Sequence, residues 1–296
     1  YAVVLEILGR VEESEIYADR VLAKDPMNVR ANILLGSVHR GKEEYERARS
    51  FLERALKVDS NSAQAHYQLG QVSLAENHMD EAVKLLTQAK ALNQEDLEIR
   101  FALAKALMAN ADADSRRGAM AEFNYVIGQY EKRAQGLDKL RPDPEVYLHR
   151  GRLHFKNNDL KAALADFKQA MLLDPSRQDV IIDFAATLRT HGKPEEAKAY
   201  LKEVLSRDPK NAKAHYNVAV IAMKRGERTE AEDHFKKTIS YGERDFPSAH
   251  RYLAYIYKDK GLGILMCNGF KAYLRHAPKD AHDREEIARQ IASSCK

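Results

Sequence analysis

Residues 31–60 read ANILLGSVHRGKEEYERARSFLERALKVDS, and three later stretches fall into register with them. These are AHYQLGQVSLAENHMDEAVKLLTQAKALNQ (65–94), VYLHRGRLHFKNNDLKAALADFKQAMLLDP (146–175) and AHYNVAVIAMKRGERTEAEDHFKKTISYGE (214–243). The superposition sets Gly36, Gly70, Gly151 and Ala219 in one column. Continued along the chain, that column reads Gly36, Gly70, Ala104, Gly151, Ala185, Ala219 and Ala254, at steps of 34, 34, 47, 34, 34 and 35 residues. A second column, Ala48, Ala82, Ala163, Ala197 and Ala231, follows 12 residues after the first, and Ala55, Ala89 and Ala170 follow seven residues later. A fixed internal period of this size decides the architecture before any local assignment does.

Each period holds two apolar-periodic segments of roughly a dozen residues, the pattern of two helices with one buried stripe apiece. The small residues mark the point where the two backbones approach closely, because bulky side chains there would push the helices apart. The eight prolines respect this division. Pro26, Pro175, Pro209 and Pro278 close a unit, Pro142, Pro144 and Pro247 open one, and Pro194 stands in the first turn of a second helix. None interrupts a helix interior, where it would cost about 3 kcal/mol.

On these residues the chain resembles the tetratricopeptide repeat (TPR) family, whose unit is a 34-residue helix-turn-helix with small residues at positions 8, 20 and 27 and proline near 32. The resemblance covers almost the whole chain. It implies an all-α fold, a right-handed α-solenoid with a C-terminal capping helix, divided into a partial first repeat (1–28), two regular repeats (29–96), an irregular lengthened repeat (97–143), four further repeats (144–280) and a cap (281–296). Departures are visible. Position 4, often tryptophan in the family, is Asn32, His66, Arg100, Tyr147, Ile181, His215 and His250, and position 20 of the last unit is Met266.

Composition narrows the function classes. With 44% hydrophobic and 31% charged residues and no tryptophan, 296 residues suit one continuous repeat array. No apolar run approaches the ~18–20 residues of a membrane span, so no direct membrane insertion is expected within the chain. The chain begins with Tyr1, at unit position 7, and its true N-terminus is expected to lie upstream. A net charge of +4 is spread through every unit, without the clustered cations and interleaved aromatics that nucleic acid requires. Among the 11 histidines, His149 with His154 and His276 with His282 are five and six residues apart, which is wrong for the i, i+4 face of a helical zinc site. The GLG of KDKGLGILMCNG follows nothing strand-like and precedes no Lys-Ser/Thr, so it is no phosphate loop. No cofactor, metal or catalytic site is expected, and the chain is read as a non-enzyme.

The resemblance implies that unit positions 2, 5, 9, 12 and 13 line a concave groove. Positions 5 and 12 supply Ile33, Tyr67, Leu74, Phe101, Met108, Leu148, Phe155, Ile182, Tyr216 and Met223, and position 9 supplies Tyr255. Cations surround them, notably Arg152, Arg189, Lys224 and Arg251. An apolar and aromatic stripe flanked by positive charge suits an extended peptide or amphipathic helix with acidic flanks. Aromatic residues at these positions also pack between neighbouring first helices in the family, and that structural role stands beside the functional one. Two sharper relatives do not fit. The carboxylate clamp of co-chaperones would need Lys, Asn, Asn, Lys and Arg where this chain has Ile33, Ser37, Gln68, Glu98 and Ala102, and an asparagine ladder at position 6 is missing apart from Asn217.

Two places break the rhythm. Residues 110–145, NADADSRRGAMAEFNYVIGQYEKRAQGLDKLRPDPE, hold a longer turn and a longer second helix, running from Ala119 through Phe123 and Tyr130 towards Leu137 and Leu140 until Pro142 and Pro144 stop it. This is either a partner-binding ridge or tolerated growth. After Pro278, DAHDREEIARQIASSCK forms one further amphipathic helix through Ile287 and Ile291, suited to cover the last apolar face. Antiparallel packing of that cap would bring Cys295 to Cys267, which permits a disulfide and an oxidising compartment; two unrelated cytosolic thiols are the alternative. The closing pattern FKAYLRHAPKDAHDREEIARQI resembles that of exported bacterial TPR proteins serving pili, gliding motors or secretion systems, which favours a periplasmic or membrane-attached scaffold. The competing readings are a folded partner docked on the convex face and the lengthened repeat, and an interaction domain of an enzyme whose catalytic part lies outside this chain.

Overall fold

A computed structural model of the chain describes residues 9–110, 112–134, 142–242 and 244–295. The described residues form sixteen helices and no strand. They divide into two units, Tyr1–Leu153 and His154–Lys296.

The first unit holds α1 (Val11–Leu22), α2 (Val29–Gly41), α3 (Tyr45–Val58), α4 (Ala63–Ala75), α5 (Met79–Leu92), α6 (Leu97–Ala109), α7 (Ala113–Ala134) and all but the last turn of α8 (Pro144–Lys156). The second holds α9 (Leu160–Leu173), α10 (Gln178–Thr190), α11 (Pro194–Arg207), α12 (Ala212–Lys224), α13 (Arg228–Gly242), α14 (Pro247–Asp259), α15 (Gly263–His276) and α16 (Arg284–Ser294). Helices α2/α3, α4/α5 and α6/α7 pack as pairs in the first unit, and α10/α11, α12/α13 and α14/α15 in the second.

The small-residue column does what its spacing implies. A Cβ added at Gly36 would meet Leu52 Cγ at 2.5 Å, and one added at Gly70 would meet Leu86 Cγ at 2.7 Å. The partner of each small residue is thus a large apolar side chain on the second helix, 16 positions later. That column reads Leu52, Leu86, Phe167, Leu201, Phe235 and Phe270, with Phe123 in the lengthened repeat, and every one is essentially fully buried. Each wedge anchors its own cluster, such as Leu201 with Ala185 and Val218, and Phe235 with Ala219 and Leu253.

Helix limits are written locally. Asn28, Ser62, Asp96 and Asn211 each stand eight residues before the anchor column, and each side chain accepts a first-turn backbone N–H. Seven residues after the column, Glu43, Asn77, Asn158, Gly192, Gly226 and Gly261 all take φ between 62° and 84°, the left-handed step that stops the first helix and starts the second. Pro144, Pro194 and Pro247 open α8, α11 and α14, where no intrahelical N–H is lost.

In four of the seven repeats position 4 has a shared role that its varied identities conceal. Asn32 Nδ2, His66 Nε2, Arg100 Nε and His215 Nε2 each donate to the carbonyl six residues earlier, of Pro26, Ser60, Gln94 and Pro209, at 2.7–3.1 Å. The turn between repeats lacks a helical partner for that carbonyl, and a polar side chain supplies one.

Successive first helices touch directly, α2 with α4, α4 with α6 and α10 with α12. Second helices are instead tied by ion pairs at a 32-residue offset: Arg49 with Glu81 (2.8 Å), Lys90 with Glu122 (2.6 Å) and Lys198 with Glu230 (2.8 Å). In each unit the first helices are therefore the crowded side.

The last helix, α16, packs on α15 through Ile287, which is fully buried, with Ile291 and Ala281 partly so. Its N-terminal end is held by Asp283, which pairs with Arg251 and accepts the Tyr273 hydroxyl proton. Arg284 Nη1 donates to the Ala277 carbonyl at 2.8 Å. Its C-terminal end is held by a disulfide between Cys267 and Cys295, Cα to Cα 5.7 Å. No helix of the described residues is long and apolar enough to cross a membrane.

Candidate protein-interaction surfaces

In the first unit the expected groove residues lie on α2, α4, α6 and α8. Tyr67, Leu74, Phe101 and Met108 are half-buried, each with part of its surface open. Tyr67 is oriented by Gln71, whose Nε2 donates to the phenol oxygen at 3.0 Å, and burial raises its pKa, so it stays a neutral phenol. Phe101 is wedged between Phe123 (centroids 6.1 Å) and His149 (5.7 Å), with Lys105 Nζ 4.8 Å from its ring centre. Leu148 departs from expectation. It is 1% exposed and belongs to the core, as does Ile182 at the same repeat position, 2% exposed. Arg152 lies half-buried on the same helix. Sequence reasoning overlooked a cavity of about 470 Å³ at the first-helix side of this unit, bordered by Arg30, Ile33, Ser37, Asp59, Gln64 and Gln68. Arg30 and Gln64 stand at position 2 and Ser37 at position 9, so its polar lining falls on groove positions, but alignment does not show that they enclose a space.

His149 is the electrostatic oddity of this unit. Burial and then the Arg152 charge push it down to about 4, against the opposing pull of Glu145, whose Oε2 lies 3.2 Å from Nε2. The folded state thus holds a neutral imidazole that protonates near pH 6.5 once unfolded. Its contribution is complete above about pH 6.5 and is lost as the pH falls towards 4, by about 3 kcal/mol in all. Urea melts of wild type and His149→Gln at pH 7.5, 5.5 and 4.5 should show the wild-type midpoint falling more steeply; parallel slopes would contradict the assignment.

In the second unit α10, α12 and α14 present Arg189, Tyr216, Met223, Lys224 and Tyr255, and Phe155 lies exposed on the last turn of α8. Tyr216 packs on Phe246 (5.3 Å) and Phe235 (6.1 Å), and Tyr255 meets Phe270 edge-on at 5.2 Å. Tyr252, one position from the expected stripe, is stacked on Phe235 at 5.1 Å and completes the wall. Arg251 is a correction. Its guanidinium sits between the rings of Tyr252 (5.2 Å) and Tyr273 (5.4 Å) and is committed to Asp283, so it secures the cap instead of facing a partner. Repeat alignment could not foresee this, since the acid comes from outside the repeats. Asp183 likewise is taken by Lys213 at 2.6 Å, and Asn217 donates to its own helix at Lys213 O.

Several histidines are occupied within the fold. His39 Nδ1 bonds Glu44 at 2.8 Å, and His215 and His234 face each other through Nδ1 at 2.8 Å. Because His215 Nε2 must donate to the Pro209 carbonyl, its neutral ring accepts at Nδ1 and His234 donates; burial holds the His234 pKa down.

The lengthened repeat has its observed counterpart in α7. It runs 22 residues, against 12 to 15 for the other described second helices. The continuation expected through Leu137 and Leu140 lies outside the described residues.

Comparison with known proteins agrees with this geometry. Residues 135–247 match the family model of the cytochrome c-type biogenesis protein H TPR domain, and residues 8–89 match that of anaphase-promoting complex, cyclosome, subunit 3. The chain is a tetratricopeptide repeat protein. Over 118 residues it is 29% identical to the peroxisomal targeting signal receptor of Eremothecium gossypii, covering 40% of this chain and 20% of the receptor. It thus spans about a fifth of the length of the curated relatives it matches. Among solved structures, the Cut9-Hcn1 hetero-tetramer of the APC/C aligns with a TM-score of 0.67 at 13% identity, covering 95% of this chain and 52% of that one. YrrB, described as a TPR protein with an unusual peptide-binding site, aligns at 0.53 and 20% identity over 67% of this chain and 95% of its own. These structural likenesses establish the fold. TPR repeats are in general non-catalytic interaction modules, which makes protein the partner class.

Proposed function

We propose that the chain is a non-catalytic scaffold that captures an extended segment or amphipathic helix of a partner protein on the first-helix faces of its repeats. The observation that carries this reading is the arrangement on those faces. Tyr67, Leu74, Phe101 and Met108 in one unit, and Tyr216, Met223 and Tyr255 in the other, are held by their neighbours yet keep open surface beside cations. Pre-positioned aromatic side chains lose little entropy on binding and supply most of the energy at such contacts, while the charges set orientation and on-rate. The peptide-binding site ascribed to YrrB accords with this use of the fold. The Cys267–Cys295 disulfide supports an oxidising compartment, and with it a place in a bacterial envelope, motility, pilus or secretion assembly.

One observation favours a second reading. The 22-residue α7 exceeds its counterparts by about two turns, a ridge on which a folded partner could dock. Affinity capture from the source cell with three baits separates the two: wild type, a Tyr216→Ala/Lys224→Glu face variant, and a chain lacking 128–139. A partner lost with the face variant alone supports segment capture. A partner lost with the deletion alone replaces that reading by docking on α7.

A further inference from the structure

The half-buried cations of the second unit follow a rule with one exception. Arg177 is paired with Asp179 (2.8 Å), Lys198 with Glu230 (2.8 Å), Lys213 with Asp183 (2.6 Å), Lys237 with Asp233 (2.8 Å) and Arg251 with Asp283. Arg284 donates to a carbonyl. Arg189, in the last turn of α10, has no such acid among the described residues. Its Nε is fully buried and has no hydrogen-bond partner, and burial presses the guanidinium pKa down. The groups electrostatically close to it are the phenols of Tyr216 on α12 and Tyr252 on α14.

This arrangement is costly for the chain alone. A guanidinium partly withdrawn from water, with a buried and unpartnered Nε and no counter-charge, destabilises the fold, and the nearest acid on the same helix, Asp183, is already occupied. The surroundings are nonetheless rigid. Tyr252 is stacked on Phe235, and Tyr216 packs on Phe246 at 5.3 Å and Phe235 at 6.1 Å. A planar guanidinium with two phenols near it suits a carboxylate, which accepts from the guanidinium fork and from phenolic O–H together. Local disagreement of this kind between a residue and its fold is where binding sites are found.

We propose that Arg189, with Tyr216 and Tyr252 near it, seats an aspartate or glutamate side chain of the partner segment, which supplies the acid that the described residues do not. The proposal rests on the reading that the first-helix face of the second unit binds a protein segment. Its three residues come from three successive first helices, so a segment lying along the face crosses the seat at an interior point. An interior point meets a side chain, not a chain end.

The probe is a phage library of random twelve-residue peptides, selected on the full chain. Selected sequences are then synthesised with acetylated N-termini and amidated C-termini and measured by fluorescence anisotropy. The expected result is an acidic residue at a shared position, binding weakened about tenfold or more by Arg189→Gln, and the same loss when the peptide acid becomes its amide. Combining the two changes should add no further loss. Without peptide, Arg189→Gln should melt about 2–4 °C higher than wild type, since an unpaired buried charge has gone. Peptides selected without a shared acid, or bound equally by Arg189→Gln, would overturn the carboxylate seat and leave segment binding standing. Tighter binding of free-acid peptides with no effect of the internal acid would move the carboxylate to a chain end and overturn it too. Failure to select any peptide would remove both the seat and the reading beneath it.

Discussion

Replacing Phe235 by alanine is expected to destabilise the second unit by about 3–5 kcal/mol, the range for deleting a fully buried aromatic side chain whose site cannot collapse. Collapse is prevented by the neighbours. Phe235 is the wedge behind Ala219, it is stacked on Tyr252 at 5.1 Å, and Tyr216 meets it at 6.1 Å. Leucine holds the equivalent place at Leu52, Leu86 and Leu201, so Phe235→Leu should lose less than half as much. Because each repeat touches only its neighbours, the damage should be regional, seen as a biphasic urea transition in the alanine variant. A single transition shifted by under about 1 kcal/mol would show that the wedge column does not carry the repeat. The same substitution removes the backing of both tyrosines, so segment binding to that face should fall with stability.

The second large effect concerns the cap. Cys267 and Cys295 close a loop of 28 residues in sequence, and loop-closure entropy alone assigns about 3–4 kcal/mol to that bond. The apolar contact under α16 is thin, with Ile287 as its one buried residue. Cys295→Ser should therefore release the end of α16, with amide exchange across 284–294 accelerating while that of 212–224 stays unchanged. Asp283→Ala should release the other end, leaving Arg251 without its acid in a largely buried setting, at about 3–5 kcal/mol. Both together should expose Phe270 and Met266 and raise the binding of an apolar dye. If the double variant keeps wild-type exchange in 284–294, the cap is held by packing alone.

Much of the architecture was legible because the features that build it recur at fixed offsets. The Gly36, Gly70 and Ala219 column, the prolines at helix starts and the closing amphipathic segment are local signals repeated often enough to reinforce one another. The wedge column opposite the small residues was less visible, since a buried leucine or phenylalanine looks like any other apolar residue until its partner is known. Position 4 was opaque for another reason. Asn, His and Arg share no size or charge, and only the carbonyl that Asn32, His66, Arg100 and His215 all reach makes them equivalent. The binding face was read least well. Exposure at a given repeat position varies from repeat to repeat, with Leu148 and Ile182 buried where Tyr67 and Tyr216 stay part-open, and groups beyond the repeats diverted Arg251 to Asp283. Arg189 could be picked out as a cation, but that it lacks an acid is a property of its surroundings.

The link from Cys267 to Cys295 also fixes how the chain would behave under tension. A pull applied at residue 295 passes through the sulfur bridge to the start of α15, so α15, the following turn and α16 lie off the line of force. Unbridged, those residues would pay out about 90–100 Å of extended chain. With the bridge intact, that slack is withheld, and load reaches the junction of α14 and α15 while the final helices stay folded.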